Sequence, residues 1–354
     1  MKITGVRVQS YRIPLVEPFR IALGTTSVAE IIGVEVTTDE GLLGYGEAAP
    51  AKRITGDNVE GVKYAIGLLG EAIKGMDPMD MEQIYWSMEK AMAHCSEAKT
   101  ALDIALHDLM GKILNQPLYK LLGGYRTEFF TDISLGIDEP QIMAKKAKNA
   151  VDEGFHAIKI KIGTGFVEDI NRVKAIREAV GKNVTLRLDA NQAYKPKEAL
   201  KIIDKLADYD IELMEQPVPW WDFDGLAYVT MHSPIPIMAD ESIFNAKDAL
   251  RIVEQHAADL INIKLMKCGG IKEAMKITTV AEAAGVECML GCMTGETNIA
   301  ITAAASLGAA VKNFTRADLD STFTLTSLPM KGGVSFQGGR ILLSQEPGLG
   351  LLPE

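Results

Sequence analysis

From Thr131 onward the chain repeats one rhythm, a short apolar run followed by an amphipathic stretch. The runs are TDISLGI, AIKIKIG, VTLRLDA, IELMEQP, PIMADES, LINIKLM, ECMLGCM and NFTRADLD. Buried parallel strands joined by crossover helices give this alternation, and a total of eight favours a closed barrel over an open sheet. The part before it differs. Val6 and Val8 alternate with polar neighbours, residues 31–36 form a β-branched run, and Asp39-Glu40-Gly41 marks a turn before another strand. From Val59 to Leu122 the pattern is helical. KTALDIALHDLMGKIL places Ala101, Ile104, Ala105, Leu109 and Ile113 on one face, with Gly123-Gly124 as the stop. Strands followed by a run of helices predict a separate α+β domain. Residues 1–125 are expected to form it and residues 126–321 the barrel. The tail 322–354, which shows no helical pattern, is expected to fold back onto the first domain.

Charged residues interrupt these apolar runs at regular places. Lys161, Asp189, Glu215, Asp240 and Lys264 follow one another at intervals of 28, 26, 25 and 24 residues, close to one βα unit of a barrel of about 250 residues. Each then sits near the C-terminal end of its strand, and in a barrel those ends ring one mouth. An ionisable group on a buried strand is costly unless it has a task. Three carboxylates on adjacent strands repel unless a cation lies between them, and oxygen donors without Cys or His favour Mg²⁺ over Zn²⁺. The two lysines flank the acids in chain order, so closure puts them on opposite sides of that metal. A lysine acts as a base near neutral pH only when its pKa is lowered. Lys159, on the same strand face as Lys161, and the metal would do so by like-charge repulsion. Taken singly, each residue has an ordinary explanation: a solvated edge strand for the lysines, helix N-caps for the acids. The common register makes them a site.

Composition narrows the class of partner. A formal charge of −10 leaves no basic face for nucleic acid or anionic lipid. There is no apolar run of membrane-spanning length and no secretory h-region, so a cytoplasmic location is expected. Cys95, Cys268, Cys288 and Cys292 form no C-x-x-C pair and read as reduced, mostly buried thiols; a Cys288/Cys292 zinc pair lacks companion ligands. His107, on the apolar-periodic helix, reads as a packed or surface residue.

Lys159-Ile160-Lys161, Asp189-Ala190-Asn191-Gln192, Glu215-Gln216-Pro217, Ala239-Asp240-Glu241-Ser242 and Lys264 resemble the muconate-lactonising branch of the enolase superfamily. Pro18-Phe19, Ile54-Thr55-Gly56-Asp57 and Pro347-Gly348-Leu349-Gly350 extend the resemblance over nearly the whole chain. It implies an α/β fold, a modified TIM barrel of the (β/α)7β kind, with an α+β capping domain formed by the N-terminal segment and the C-terminal tail. It also implies one Mg²⁺ per subunit on Asp189, Glu215 and Asp240, with the substrate carboxylate bound to it through both oxygens. Lys161 and Lys264 would stand on opposite faces of the α-carbon, one removing the proton and the other returning it, with Lys159 as a further cation beside the enolate. Asn191, Gln192 and Glu241 adjoin the ligands as hydrogen-bond partners. Phe19, Gly24, Ile54 and Glu296 are assigned to substrate binding, Glu296 alternatively to orienting Lys264.

The branch contains lactonising cycloisomerases, o-succinylbenzoate synthases, N-acylamino-acid racemases and dipeptide epimerases. Asp318-x-Asp320 on the last strand looks like the pair with which dipeptide epimerases hold a substrate ammonium group. Carboxylates at i and i+2 of a strand project to one side, and a desolvated amine needs such partners; two acids capping a loop is the plain alternative. The function implied is 1,1-proton transfer that inverts the α-carbon of the C-terminal residue of an L,L-dipeptide. The alternative is an N-acylamino-acid racemase or a lactonising cycloisomerase. Members that act on Ala-Glu carry an Arg where this chain has Gly24, so a non-acidic side chain is expected, with Arg20 and Arg53 as the nearest substitutes. The Pro219-Trp220-Trp221-Asp222 loop either lines the mouth or covers helix ends. The expected partner is a small dipeptide, bound by a homo-oligomer, with no nucleic acid and no membrane.

Overall fold

A computed structural model describes residues 1–353. Strands β1 (Ile3–Ile21) and β2 (Gly24–Thr38) run antiparallel around a turn at Ala22-Leu23, and β3 (Leu43–Ala48) joins β2 after the turn at residues 39–41. Ile32, Val34 and Val36 alternate inward from β2. They pack with Val62, Ile66, Leu69, Leu102 and Leu106 of α1 (Val59–Ile73) and α3 (Ser96–Ile113); α2 (Met81–Ala91) and α4 (Leu118–Leu121) complete the helical layer.

Helix α3 departs from the one-faced pattern expected of it, because it is buried on nearly every side. One side meets β3 so closely that a Cβ on Gly46 would overlap the Ala101 carbonyl. The other side meets the barrel, where Ile271 N donates to Asp103 at 2.6 Å. Its buried acids are satisfied individually. Asp103 also accepts from the Tyr85 hydroxyl, and Asp108 accepts from Lys112, Tyr45 N and Leu349 N at 2.6, 2.9 and 2.8 Å. The helix ends at Ile113, with Asn115 left-handed at φ 50; Gly123-Gly124 follow α4 instead.

After β4 (Glu128–Phe130) all eight predicted runs form strands: β5 (Ile133–Leu135), β6 (Ala157–Lys161), β7 (Thr185–Asp189), β8 (Ile211–Glu215), β9 (Ile237–Ala239), β10 (Leu260–Lys264), β11 (Glu287–Gly291) and β12 (Phe314–Asp318). They form one parallel sheet in that order. Between them run α5 (Pro140–Asp152), α6 (Phe166–Val180), α7 (Pro196–Leu206), α8 (Phe223–His232), α9 (Ala246–Gln255), the short α10 (Leu265–Cys268) with α11 (Ile271–Ala283), and α12 (Asn298–Ala310). No helix follows β12 directly, which gives the (β/α)7β form. The seam between β5 and β12 is bridged by Asp132 N to Ala317 O (3.1 Å), Leu319 N to Thr131 Oγ1 (2.8 Å) and the Arg187 guanidinium, which donates to Asp132 (2.7 Å) and to Ala317 O (3.3 Å). Among the described residues no helix is long and apolar enough to cross a membrane.

The tail opens on a short 3-10 turn, Ser321–Thr324, and then forms β13 (Met330–Gly332), β14 (Ser335–Gln337), β15 (Arg340–Leu342) and β16 (Leu351–Pro353). It reaches the N-terminal part through Leu118 N to Gly348 O, 2.9 Å. It also belongs to the barrel: β15 pairs with β4, and Phe323 meets Phe155 edge-on at 5.5 Å. The tail therefore touches both parts of the chain.

The cap sits over the C-terminal ends of the strands. Ile137 N donates to Arg20 O at 2.7 Å, and Glu47 at the end of β3 accepts from Thr297 N at 2.7 Å and from the Thr297 hydroxyl, at the start of α12. Burial pushes the Glu47 carboxyl up to about 7, against the bonds from Thr297. Burial likewise pushes Glu97 up to about 8, against bonds from Thr55 and Ala51. A carboxyl raised on folding binds more protons folded than unfolded, so stability falls as pH rises from the ordinary value, 4.5, through the raised one. Glu47→Gln combined with Glu97→Gln is expected to flatten the decline of Tm between pH 5 and pH 8. Calorimetry of both proteins across that interval checks it, and parallel curves would count against it.

Candidate active site

Strand register explains the convergence of the five charged residues. Lys161 pairs across with Asp189, and Asp189 with Glu215; Asp240 follows β9 directly and Lys264 ends β10. In a ring of eight, β6 and β10 stand four places apart, so the two lysines reach in from opposite walls with the three acids between them.

All of these groups are buried. Lys161 Nζ lies 2.5 Å from Asp189 Oδ2, and Lys264 Nζ 2.7 Å from Asp240 Oδ2. Lys159, fully buried, lies 2.6 Å from Asp318 Oδ2, 2.8 Å from Glu215 Oε2 and 3.3 Å from Asp189 Oδ2. Burial alone would raise the acids, but Lys161 and Lys159 hold Asp189 below the usual carboxylate value, and Lys264 and Lys267 do the same for Asp240. Glu215 is pushed up to about 8 by burial and by Asp189, with Lys159 opposing. Burial would lower Lys159 and Lys264; the carboxylates, Asp318 foremost for Lys159 and Asp240 for Lys264, outweigh it and hold both above the ordinary lysine value. For Lys264 that direction is opposite to the one expected of a neutral-pH base. A divalent cation on Asp240, Glu215 and Asp189 would oppose the field that raises Lys264.

Each acid is engaged by a lysine, and among the described residues no three His, Cys, Asp or Glu side chains form a ready-made metal cradle. The donor set nevertheless fits Mg²⁺. It is all oxygen and carried on neighbouring strand ends. Glu215 Oε2 is buried without a hydrogen bond; its 2.8 Å approach to Lys159 is an ion pair outside hydrogen-bond geometry.

Asp318 and Asp320 lie beside Lys161. A cavity of about 30 Å³ is lined by Phe19, Ser134, Lys161, Cys292, Asp318 and Asp320, among others. A larger depression, about 1070 Å³, runs between the cap sheet and residues 327–330; it holds none of the five in-register residues, whereas the smaller cavity holds Lys161. Ser134 N donates to Asp320 at 2.5 Å and Ser134 Oγ to Asp318 at 3.1 Å, across the barrel seam. Asp318 is kept ionised against burial by Lys159, Lys161 and Lys264. Asp320 is pushed up to about 7 by burial and by Asp318.

The other expected residues divide. Phe19 faces this cavity, and Ile54 packs on the barrel core. Glu296 Oε1 accepts from Met293 N at 2.7 Å, its Oε2 is buried and unpartnered, and burial pushes it up to about 8. Gly24, at φ 140, lies under the Arg53 guanidinium, which fills the space a side chain would take. Trp220 and Trp221 are 54% and 63% exposed and line neither depression named above; Gln192 Oε1 and Ser242 Oγ tie the Trp220 backbone. Asn191 Nδ2 donates to Glu241 Oε1 at 3.2 Å. The cysteines are free, with Cys288 against Asn313 and Cys292 against Asp320. His107 is packed, its Nδ1 2.8 Å from Asp103 O.

Residues 3–123 match the N-terminal domain of mandelate racemase / muconate lactonizing enzyme, and residues 142–354 match the enolase C-terminal domain-like family. The chain belongs to the enolase superfamily. A hydrophobic dipeptide epimerase of Enterococcus faecalis is 55% identical over 99% of each chain. The structure of an E. faecalis dipeptide epimerase with Mg and the dipeptide L-Leu-L-Tyr superposes with a TM-score of 0.98 at 55% identity, covering 99% of each chain. The L-Ala-D/L-Glu epimerase of Bacillus subtilis, in a substrate-liganded complex, also gives 0.98 at 42% identity, covering 100% of this chain and 99% of that one. An N-succinyl-L-Arg/Lys racemase of Bacillus cereus is 37% identical over 99% of this chain and 95% of its own.

Three polar residues in or near the candidate site of this superfamily member escaped the sequence. Ser134 carries no local signal, since its partners are 184 and 186 residues away. Arg187 did carry one, an ionisable side chain two places before Asp189 on the same strand face. Lys267 sits on the short α10 before Gly269-Gly270, where a lysine reads as solvated; it is buried against Asp240.

Proposed function

We propose that the protein is a dipeptide epimerase that inverts the α-carbon of the C-terminal residue of L,L-dipeptides with hydrophobic side chains. One observation carries this: beside Lys161, buried Asp320 has no ion-pair partner among the described residues, while Asp318 next to it is already neutralised by Lys159. The pair is one cation short, and a substrate ammonium group supplies it. An N-acyl amino acid or a cyclic diene acid has no such cation. The similarity to the hydrophobic dipeptide epimerase of E. faecalis supports the same choice.

Asp189, Glu215 and Asp240 would hold Mg²⁺. When bound, the ion supplies Lewis-acid stabilisation of the charge that develops on the substrate carboxylate. Asp318 and Asp320 fix the amino end of the dipeptide, so the α-carbon of its second residue lies between the opposed walls. Lys161 and Lys264 then face that carbon from opposite sides, one taking the α-proton and the other delivering one. Lys159, too deeply held to exchange protons, keeps Asp318 ionised and adds positive charge near the developing enolate.

Proton–deuterium exchange followed by NMR tests the proposal. With Mg²⁺ in D₂O, L,L-dipeptides are expected to gain deuterium at the C-terminal α-carbon together with new diastereomer signals, and EDTA is expected to stop both. Exchange confined to N-acetyl amino acids would overturn it. The side-chain preference is a separate prediction. Arg53 covers Gly24, but it is exposed, and an exposed ion pair contributes at most about 1 kcal/mol, roughly fivefold. Hydrophobic dipeptides are therefore expected to exceed Ala-Glu in kcat/KM by at least about tenfold, about 1.4 kcal/mol. A competition assay with L-Leu-L-Tyr and L-Ala-L-Glu decides it.

A further inference from the structure

We propose that Lys267 is a positioning residue that sets Lys264 through Asp240 and so serves one face of the substrate only; this rests on the two-lysine epimerisation proposed above. Lys267 has 1% of its side chain exposed. Its Nζ donates to the Asp240 backbone carbonyl, to Asp240 Oδ1 at 2.5 Å and to Asn262 O at 3.2 Å. Three acceptors match the three protons of an ammonium group. Holding both the carbonyl and one carboxylate oxygen of Asp240 fixes the rotation of that carboxylate. Oδ2 is thereby presented to Lys264, at 2.7 Å.

The chain that carries Lys267 is itself held from the cap. Thr100 Oγ1 donates to Leu265 O at 2.7 Å, and Ile271 N donates to Asp103 Oδ2 at 2.6 Å, so the segment from Leu265 to Ile271 is held at both ends. The opposite wall is built differently. Asp189, which receives Lys161, is oriented by Asn191 N at 2.9 Å and by Lys159, and Lys267 takes no part in it. A cation whose work was only to neutralise buried acid would serve both walls; this one grips a single carboxylate by its backbone and by one oxygen.

Lys267→Met removes the donors while keeping the bulk. Lys161→Ala and Lys264→Ala first assign which diastereomer depends on which lysine. At saturating Mg²⁺, Lys267→Met is expected to slow α-proton exchange on the Lys264 face by about 10²-fold, the cost of a misplacement of about 1 Å, and to leave the Lys161 face within about threefold. Calorimetric titration with Mg²⁺ reads Asp240 without turnover, and an affinity loss of about 10–100-fold is expected. Parallel loss on both faces, or an unchanged Mg²⁺ affinity, overturns the role of Lys267. Should Lys267→Met fail to fold, Lys267→Arg, which keeps the charge but not the position of Nζ, is read by the same two measurements. If the wild-type protein exchanges neither diastereomer, the proposed function fails, and the titration still decides whether Lys267 sets Asp240.

Discussion

Lys264→Ala is expected to lower net epimerisation by at least about 10³-fold, within the range for removing a positioned acid or base, and yet to leave α-proton exchange intact for one diastereomer. Lys161→Ala is expected to do the same for the other. The expectation follows from where the strands place the two groups. β6 and β10 are four places apart in a ring of eight, so neither ammonium group can reach around the substrate to the face served by the other. Inversion needs both; exchange with solvent needs only the lysine that faces the α-proton. Each variant also removes one of the cations on a buried carboxylate, leaving Asp240 to Lys267 in one case and Asp189 to Lys159 in the other, so Mg²⁺ must be kept saturating when rates are compared. The measurement is proton NMR in D₂O with each diastereomer supplied separately. Complementary survival of exchange supports two one-sided bases. If either variant still epimerises within about tenfold of the wild-type rate, one base serves both faces and the opposed-lysine proposal is wrong.

What the sequence made legible, and what it did not, divides along a physical line. The barrel showed itself because parallel strands buried on both faces leave apolar runs, and the charged residues because each broke such a run at its end. Lys161, Asp189, Glu215, Asp240 and Lys264 could be placed in one mouth from their spacing, since strand register does the rest. Helix α3 could not be judged so. Its Asp103, His107 and Asp108 look like a solvent face, and only contacts from Tyr85, Ile271, Tyr45 and Leu349 make that face an interior one. Ser134 and Lys267 belong to the same class. Their partners come from other strands, and no periodicity encodes a contact across a barrel seam or beneath a strand end. The tail was hidden for a related reason: strands of three residues are too short to show alternation, and β15 finds its partner in β4, more than 200 residues earlier.

Asp320→Asn is expected to reduce kcat/KM for free-amine dipeptides by about 10²-fold at neutral pH. That corresponds to the lower part of the 2–5 kcal/mol lost when one partner of a buried charge pair is truncated. Asn keeps the shape and still accepts from Ser134 N, so the loss reports charge. The two aspartates should not behave alike. Asp318 answers Lys159, so Asp318→Asn leaves a buried ammonium group leaning on Glu215 and Asp189 and is expected to lower kcat for every substrate. Asp320 answers no cation of the described residues, so its loss should appear mainly in KM and should spare N-acetylated dipeptides. The pH profile separates them further. Burial and Asp318 push Asp320 up to about 7, and an ammonium group is attracted only to the ionised form. The kcat/KM of the wild-type enzyme should therefore climb as pH rises through about 7 and fall again as the substrate amine loses its proton, near about 8. In Asp320→Asn the rising limb should vanish, because nothing remains there to ionise; in Asp318→Asn it should persist at a lower pH, because the neighbouring charge that raises Asp320 is gone. An Asp320→Asn enzyme that keeps both the limb and the preference for free amines would place the ammonium group elsewhere and leave Asp320 as a clasp for the barrel seam.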